Sequence, residues 1–360
     1  SRGIDRVDQV LAAAAGAVRA AGGSPFVLAA MGSHGGATEA GQLAVLAGYG
    51  VTEQSVGCPV VACTDVRQIA LLPGGIPVYC NRMACDADGV LVVNRVKPHT
   101  ILTGVQGSGL MKMMAVGLGG PRGADTLHQA GLAQYLLPAA RAVRDALPVV
   151  GGLAVVENSF DRICAVEAVP PQEMESADAR LLQRARALFP SIPFDPIDVL
   201  VVCRMGKNLS GAGMDPNVIG MHRRLGGVPD RHIDRIAVLD LTAESHGNAI
   251  GVGMADVITE RLRAKIDWDV TRTNGLTSGF FNGIKLPVAL PSDRDAIAAC
   301  LKGFPPNHVR VVLIRDTAHL DRLWVSAPLA SEAAGRERLR VAQHPVPWRF
   351  TAGGELVPPP

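Results

Sequence analysis

Phe26-Val27-Leu28-Ala29-Ala30-Met31 runs without a polar residue into Gly32-Ser33-His34-Gly35-Gly36-Ala37-Thr38. A short apolar run that stops at a glycine suits a buried strand. Thr38 can cap a helix reaching about Gly48, because its hydroxyl can accept from a first-turn amide. Strand, glycine loop and helix form the repeating unit of an α/β fold, and the same alternation extends in both directions. Upstream, Val7, Val10, Leu11 and Val18 recur near helical spacing in an Ala-rich segment over 7–21. Downstream, Gly89-Val90-Leu91-Val92-Val93-Asn94 is the best strand of the first half. Residues 125–147 read as a helix interrupted at Pro138, and 149–156 as a further strand. In the second half, 197–202, 236–241 and 309–314 are continuous apolar runs, with helical stretches near 253–265, 293–301 and 331–340. Such strands, buried on both faces and alternating with helices, predict α/β architecture with largely parallel sheets. Between the halves, Pro170-Pro171 leads into a helix over 176–188, and Pro190, Pro193 and Pro196 then forbid regular structure. Two domains are predicted, 1–192 and 193–360.

Composition narrows the function. Of 360 residues, 48% are hydrophobic and 19% charged, enough for a sizeable core. Lys+Arg 35 against Asp+Glu 33 leaves a net charge of +2, which offers no electrostatic footprint for nucleic acid or an anionic membrane. Aromatic residues at 4% argue against a base-stacking platform. The seven cysteines are odd in number and contain no C-x-x-C pair, which points to a reduced, cytoplasmic protein rather than a disulfide scaffold or zinc knuckle. No run reaches the roughly 18 apolar residues of a membrane span.

Common catalytic signatures are missing. Gly117-Leu118-Gly119-Gly120 is followed by Pro121-Arg122, not by a dinucleotide fingerprint, and Gly206-Lys207 by Asn208, not Ser or Thr. No G-x-S-x-G or H-E-x-x-H occurs. Three histidines stand out instead. His34 lies in the glycine loop quoted above, His99 in Asn94-Arg95-Val96-Lys97-Pro98-His99-Thr100 after the best strand, and His128 in Asp125-Thr126-Leu127-His128, early in a predicted helix. Ligands of open α/β sheets bind beyond the carboxyl ends of strands, so His34 and His99 can share one crevice. Between His99 and His128 runs Gly104-Val105-Gln106-Gly107-Ser108-Gly109-Leu110-Met111-Lys112-Met113-Met114. Its glycines would let backbone amides approach a phosphate, and a lysine packed among Leu110, Met111, Met113 and Met114 can be a nucleophile.

This pattern resembles the nickel-dependent lactate racemases and their 2-hydroxyacid racemase and epimerase relatives. The motif matches cover the stretch from Ser1 to about His128, with a looser match beyond. The resemblance implies two α/β domains with the active site in the cleft between them. It also implies a nickel pincer nucleotide, a pyridinium mononucleotide with two sulfur-bearing arms. Ser108-Gly109-x-x-Lys112 matches the family's Ser-Gly-x-x-Lys, which makes Lys112 the covalent attachment point. His128, sixteen positions on, matches the nickel ligand. His34 and His99 match the two proton donor/acceptors. Ser1-Arg2 resembles the end of a Thr-Arg motif that contacts cofactor and substrate. Asp215-Pro216-Asn217 and Arg223 fall near a substrate-binding segment, with Gly220 where the family has Gln and Arg223 where it has Lys. Those two changes imply a substrate other than lactate. His99 and Lys112 lie three positions further apart than in the lactate racemases, which predicts a bulged loop.

The implied partners are a small 2-hydroxy acid and the proteins that make the cofactor. The implied reaction removes the α-hydrogen as hydride, since a carbanion beside a carboxylate is costly, and returns it to the opposite face while two imidazoles exchange the hydroxyl proton. Arg2 or Arg223 would clamp the carboxylate. Two alternatives remain. One is a hydrolase or transferase that uses Lys112, or a divalent metal held by His34 and His99. The other is a nucleotide- or anion-binding protein that keeps the phosphate loop.

Overall fold

The computed structural model describes residues 3–105, 107–342 and 346–357. The chain divides into two compact units, Ser1–Phe189 and Pro190–Pro360. It is an α/β protein with parallel-rich sheets.

The first unit begins with helix α1 (Val7–Ala20), then strand β1 (Val27–Leu28) and helix α2 (Glu39–Gly48). Thr38 caps α2 by accepting from the Gly41 amide, as its position predicts. The first strand keeps only two ladder residues, pairing in parallel with β2 (Val60–Val61). An antiparallel hairpin follows, β3 (Val66–Leu72) and β4 (Ile76–Asn81). Strand β5 (Val90–Arg95) pairs in parallel with β6 (Val149–Glu157), which pairs antiparallel with β7 (Ile163–Val169).

Between β5 and β6 lie a three-residue helix α3 (Leu110–Lys112), a π-helical turn (Met113–Gly117), helix α4 (Gly120–Ala130) and helix α5 (Leu132–Ala146). The helix expected over 125–147 therefore breaks at Gly131, not at Pro138. Gly131 takes φ +111, whereas Pro138 stays inside α5. A side-chain-free residue ends α4 where an L-residue would be strained. Helix α6 (Met174–Leu188) closes the unit. Leu110, Met111, Met114, Leu136, Met174, Leu181 and Leu182 meet in its core and are nearly or fully buried.

The second unit is built on one six-stranded sheet: β8 (Ile197–Val202), β9 (Ile233–Val238), β10 (Val257–Thr259), β11 (Val288–Leu290), β12 (Val311–Asp316) and β13 (His319–Val325). The order is β11-β10-β9-β8-β12-β13, and every pairing is parallel except the terminal β12–β13 hairpin. The helix expected over 253–265 is instead strand β10 followed by the short helix Glu260–Ala264. Val257-Ile258-Thr259 is β-branched throughout, and Thr259 caps the short helix by accepting from Leu262. The helix expected over 331–340 lies earlier, at Ala327–Ala333. All seven cysteines are free thiols. No described helix is long and apolar enough to cross a membrane.

Candidate active site

The loop carrying His34 leaves β1 through Gly32, whose φ is +57. A Cβ there would sit 3.2 Å from Ala124 on α4 and 3.3 Å from the Val116 carbonyl, so the position needs glycine on two grounds. The Gly32 amide donates to the Gly117 carbonyl at 3.3 Å, and the buried Gln42 side chain donates to the Gly32 carbonyl at 3.0 Å. These bonds fasten the His34 loop against the π-helical turn that follows Lys112. His34 itself is exposed.

The segment after β5 is fastened from the other side. Lys97 and Ser108 exchange both backbone hydrogen bonds, at 3.0 and 2.9 Å, as an isolated antiparallel bridge. The buried Asn94 donates to the Gly109 carbonyl at 2.6 Å. The expected bulge is thus a loop closed at its base. His99 hangs from this loop, and its Nε2 lies 2.7 Å from Lys112 Nζ. Two candidate residues thirteen positions apart are in direct contact.

His128 occupies the last turn of α4, not an early one, because the helix starts upstream at Gly120. Its Nδ1 lies 2.6 Å from the Ala124 carbonyl. A carbonyl can only accept, so Nδ1 carries the proton, and in the neutral ring Nε2 is the nitrogen with the lone pair. That is the imidazole form a metal requires. Ala124 is also the residue that Gly32 approaches, so His128 and the His34 loop flank the same turn of α4.

Asp178 on α6 escapes a motif-based reading. Its carboxylate accepts from the amides of Leu110 (2.9 Å) and Met111 (2.8 Å) at the start of α3. Burial pushes its carboxyl up to about 6, while those two amide bonds pull it down. A signal was present: Met174, Ala177, Asp178, Leu181, Leu182 and Ala185 share one helical face, so an acid stands inside an apolar stripe. The amides of Ser108, Leu110 and Met111 already have protein acceptors, so these three do not cradle a phosphate.

A stability prediction arises here. Asp178 is harder to ionise in the fold than its ordinary value of 3.8, so the folded chain binds the extra proton between pH 4 and 6. Its contribution is full below pH 4 and is lost as pH rises through 6. The loss amounts to about 3 kcal/mol. Urea titrations at pH 4.5 and 7.5 should show Asp178→Asn with a flatter pH dependence than the parent; identical slopes would refute this.

The remaining expected residues separate as follows. Ser1 and Arg2 lie outside the described residues. Ser108 forms the bridge to Lys97, and Gly109 lies under the Asp178 carboxylate. In the second unit, Asn217 donates through its amide nitrogen to Asp215 at 2.9 Å. Arg223 donates through both terminal nitrogens, to the carbonyls of Met254, Ile233 and Asp234 and to the Asp256 carboxylate. Its guanidinium is thereby built into that unit. Among the described residues, no three His, Cys, Asp or Glu side chains gather to hold a metal.

Comparison with known proteins completes the description. No protein-family profile matches the chain, and no curated protein does. A solved structure does: the lactate racemase apoprotein from Thermoanaerobacterium thermosaccharolyticum, at TM-score 0.54 and 14% identity, over 83% of this chain and 75% of that one. The chain has the fold of a lactate racemase. A Thermotoga maritima protein aligns at TM-score 0.43 and 14% identity over 59% of this chain and 57% of that one, which is too distant to weigh. At 14% identity the likeness to the apoprotein concerns the fold.

Proposed function

We propose that the chain is a racemase or epimerase of a 2-hydroxy acid that carries a nickel pincer nucleotide on Lys112. The observation behind this reading is the 2.7 Å approach of His99 Nε2 to Lys112 Nζ, in a fold shared with a lactate racemase apoprotein. Two features of the chain suit such a group. Lys112 offers an amine beside an imidazole, and His128 offers Nε2 as a single protein donor to nickel. The group's phosphate would be held elsewhere than at the Leu110 and Met111 amides, which Asp178 already binds.

When bound, the group supplies a hydride acceptor for the substrate's α-carbon. The chain's own residues handle the proton. His99 accepts the Ile101 amide at Nδ1 (3.2 Å), so when neutral it carries its proton on Nε2 and is set to give one. His34, on the loop fastened to the Lys112 turn, is assigned to take the hydroxyl proton from the opposite face. Two imidazoles in these roles match what inversion at one carbon needs, since an imidazole can both give and take a proton. The amides bound to Asp178 weigh against the alternative of a simple anion-binding protein.

The test is to produce the protein together with the cofactor-making proteins, then measure intact mass and nickel and screen 2-hydroxy acids for loss of optical purity. A mass increase that disappears in Lys112→Ala, with nickel and racemisation of at least one acid, is expected. An unmodified Lys112 with no racemisation would refute the reading.

A further inference from the structure

We propose that His99 is a positioning residue that holds Lys112 as a neutral, nucleophilic amine before anything is attached to it. The inference rests on the reading above for what Lys112 finally reacts with. For the state of the amine it rests on the geometry of the protein alone.

Neutral imidazole has one N–H and one bare nitrogen. The Ile101 amide hydrogen points at His99 Nδ1 at 3.2 Å, so Nδ1 is the bare nitrogen. The proton is then on Nε2, and that N–H faces Lys112 Nζ at 2.7 Å. An ammonium group has only donors. Two donors opposed at this distance repel, whereas an uncharged amine accepts the Nε2 hydrogen through its lone pair. The bond from Ile101 therefore selects the form of Lys112.

The surroundings favour the same form. Lys112 is half-buried and its Nζ lies against the His99 ring, so the amine is less open to water than on a bare surface. Among the charged groups around this helix, Asp178 is bound to the Leu110 and Met111 amides. Arg95 and Lys97 lie on the strand and loop that carry His99. The bridge between Lys97 and Ser108 fixes that loop to the start of α3, so the His99–Lys112 contact is built in.

The electrophile that suits such an amine is an acyl- or thioacyl-type carbon bearing a leaving group. A bond forms between Nζ and that carbon, the carbon's bond to the leaving group breaks, and the leaving group departs with the proton that Nζ gives up.

The experiment uses the cofactor-free protein and trace acetic anhydride, with acetylation of each lysine read by peptide mass spectrometry at pH 7 and pH 10.5. Dividing the pH 7 rate by the pH 10.5 rate cancels differences in access. Lys285 and Lys302, both exposed, serve as internal references. Ordinary lysine is neutral in only about one molecule in 10³ at pH 7. The ratio for Lys112 is expected to exceed that of the references at least about tenfold. His99→Leu should bring it down to theirs, and His99→Gln, which keeps an N–H at similar reach, should retain part of the excess. A Lys112 ratio equal to the references in the unmutated protein overturns the proposal without any variant. So does an unchanged ratio in His99→Leu, or a Gln variant that behaves as Leu does. Because no cofactor or substrate is present, the outcome is independent of whether the loaded protein racemises anything.

Discussion

Alanine at position 99, in protein loaded with the nickel group, is expected to slow racemisation by about 10²–10⁴-fold, the usual worth of one general acid or base. The rate must be expressed per loaded molecule, because His99 also faces the amine that is to be modified. Loading is read from intact mass, and turnover from the decay of optical rotation. Thermodynamics adds a second expectation. Enantiomers have equal free energy, so kcat/KM must fall by the same factor in both directions. His34→Ala should meet the same symmetry, since removing either imidazole interrupts both directions. Unchanged turnover per loaded molecule in His99→Ala would remove that ring from the chemistry and leave it only the role of holding Lys112.

A large loss of stability is expected from Gly109→Ala. A Cβ at this position would lie 2.5 Å from Cγ, Oδ1 and Oδ2 of Asp178. The Gly109 φ is 178°, an extended value open to any residue, so the cost comes from the collision and not from backbone strain. Asp178 cannot step aside without releasing the Leu110 and Met111 amides in a buried site. Overpacking costs about 1–3 kcal/mol, and each stranded amide adds about 1–3 kcal/mol. A loss of about 3 kcal/mol or more follows, which for a unit of this size lowers Tm by about 6–12 °C. Calorimetry or urea titration measures it. The cause can be isolated with a cycle: in an Asp178→Ser background the new methyl group has room, so Gly109→Ala should cost much less there. Equal costs in the two backgrounds would show that the carboxylate is not what the methyl group meets.

Much of the fold can be read from residue patterns. The Thr38 cap, the Ala-rich first helix, the apolar runs of β5, β6 and β8 and the Pro-rich passage near 190 all act locally, through side-chain period and backbone restriction. Local signals fail where tertiary packing decides. Pro138 looked like a helix breaker, yet Gly131 breaks the helix, because proline is tolerated once packing holds the remaining turns. The β3–β4 hairpin went unread, although Pro73-Gly74-Gly75 announces a turn between two strand-forming segments. His34, His99, Lys112 and His128 were legible as isolated residue types in unusual settings. The contact between His99 and Lys112 was not, because it depends on the Lys97–Ser108 bridge, and a pairing of two backbone segments leaves no mark in side-chain identity. Asp178 was hidden for the opposite reason: a lone aspartate in a helix resembles a solvated face unless its apolar neighbours are counted.

That bridge has an evolutionary corollary. Lys97 and Ser108 form a clasp, and whatever chain is paid out beyond it leaves the two ends where they are. Residues can be inserted or deleted after Leu102, which is packed in the core, and before Ser108 without shifting the start of α3, since closure entropy grows only slowly with length. The span can therefore be lengthened, shortened or exchanged by recombination while the amine stays in register, which makes it a natural place for a lineage to change what it turns over without rebuilding the machinery beneath.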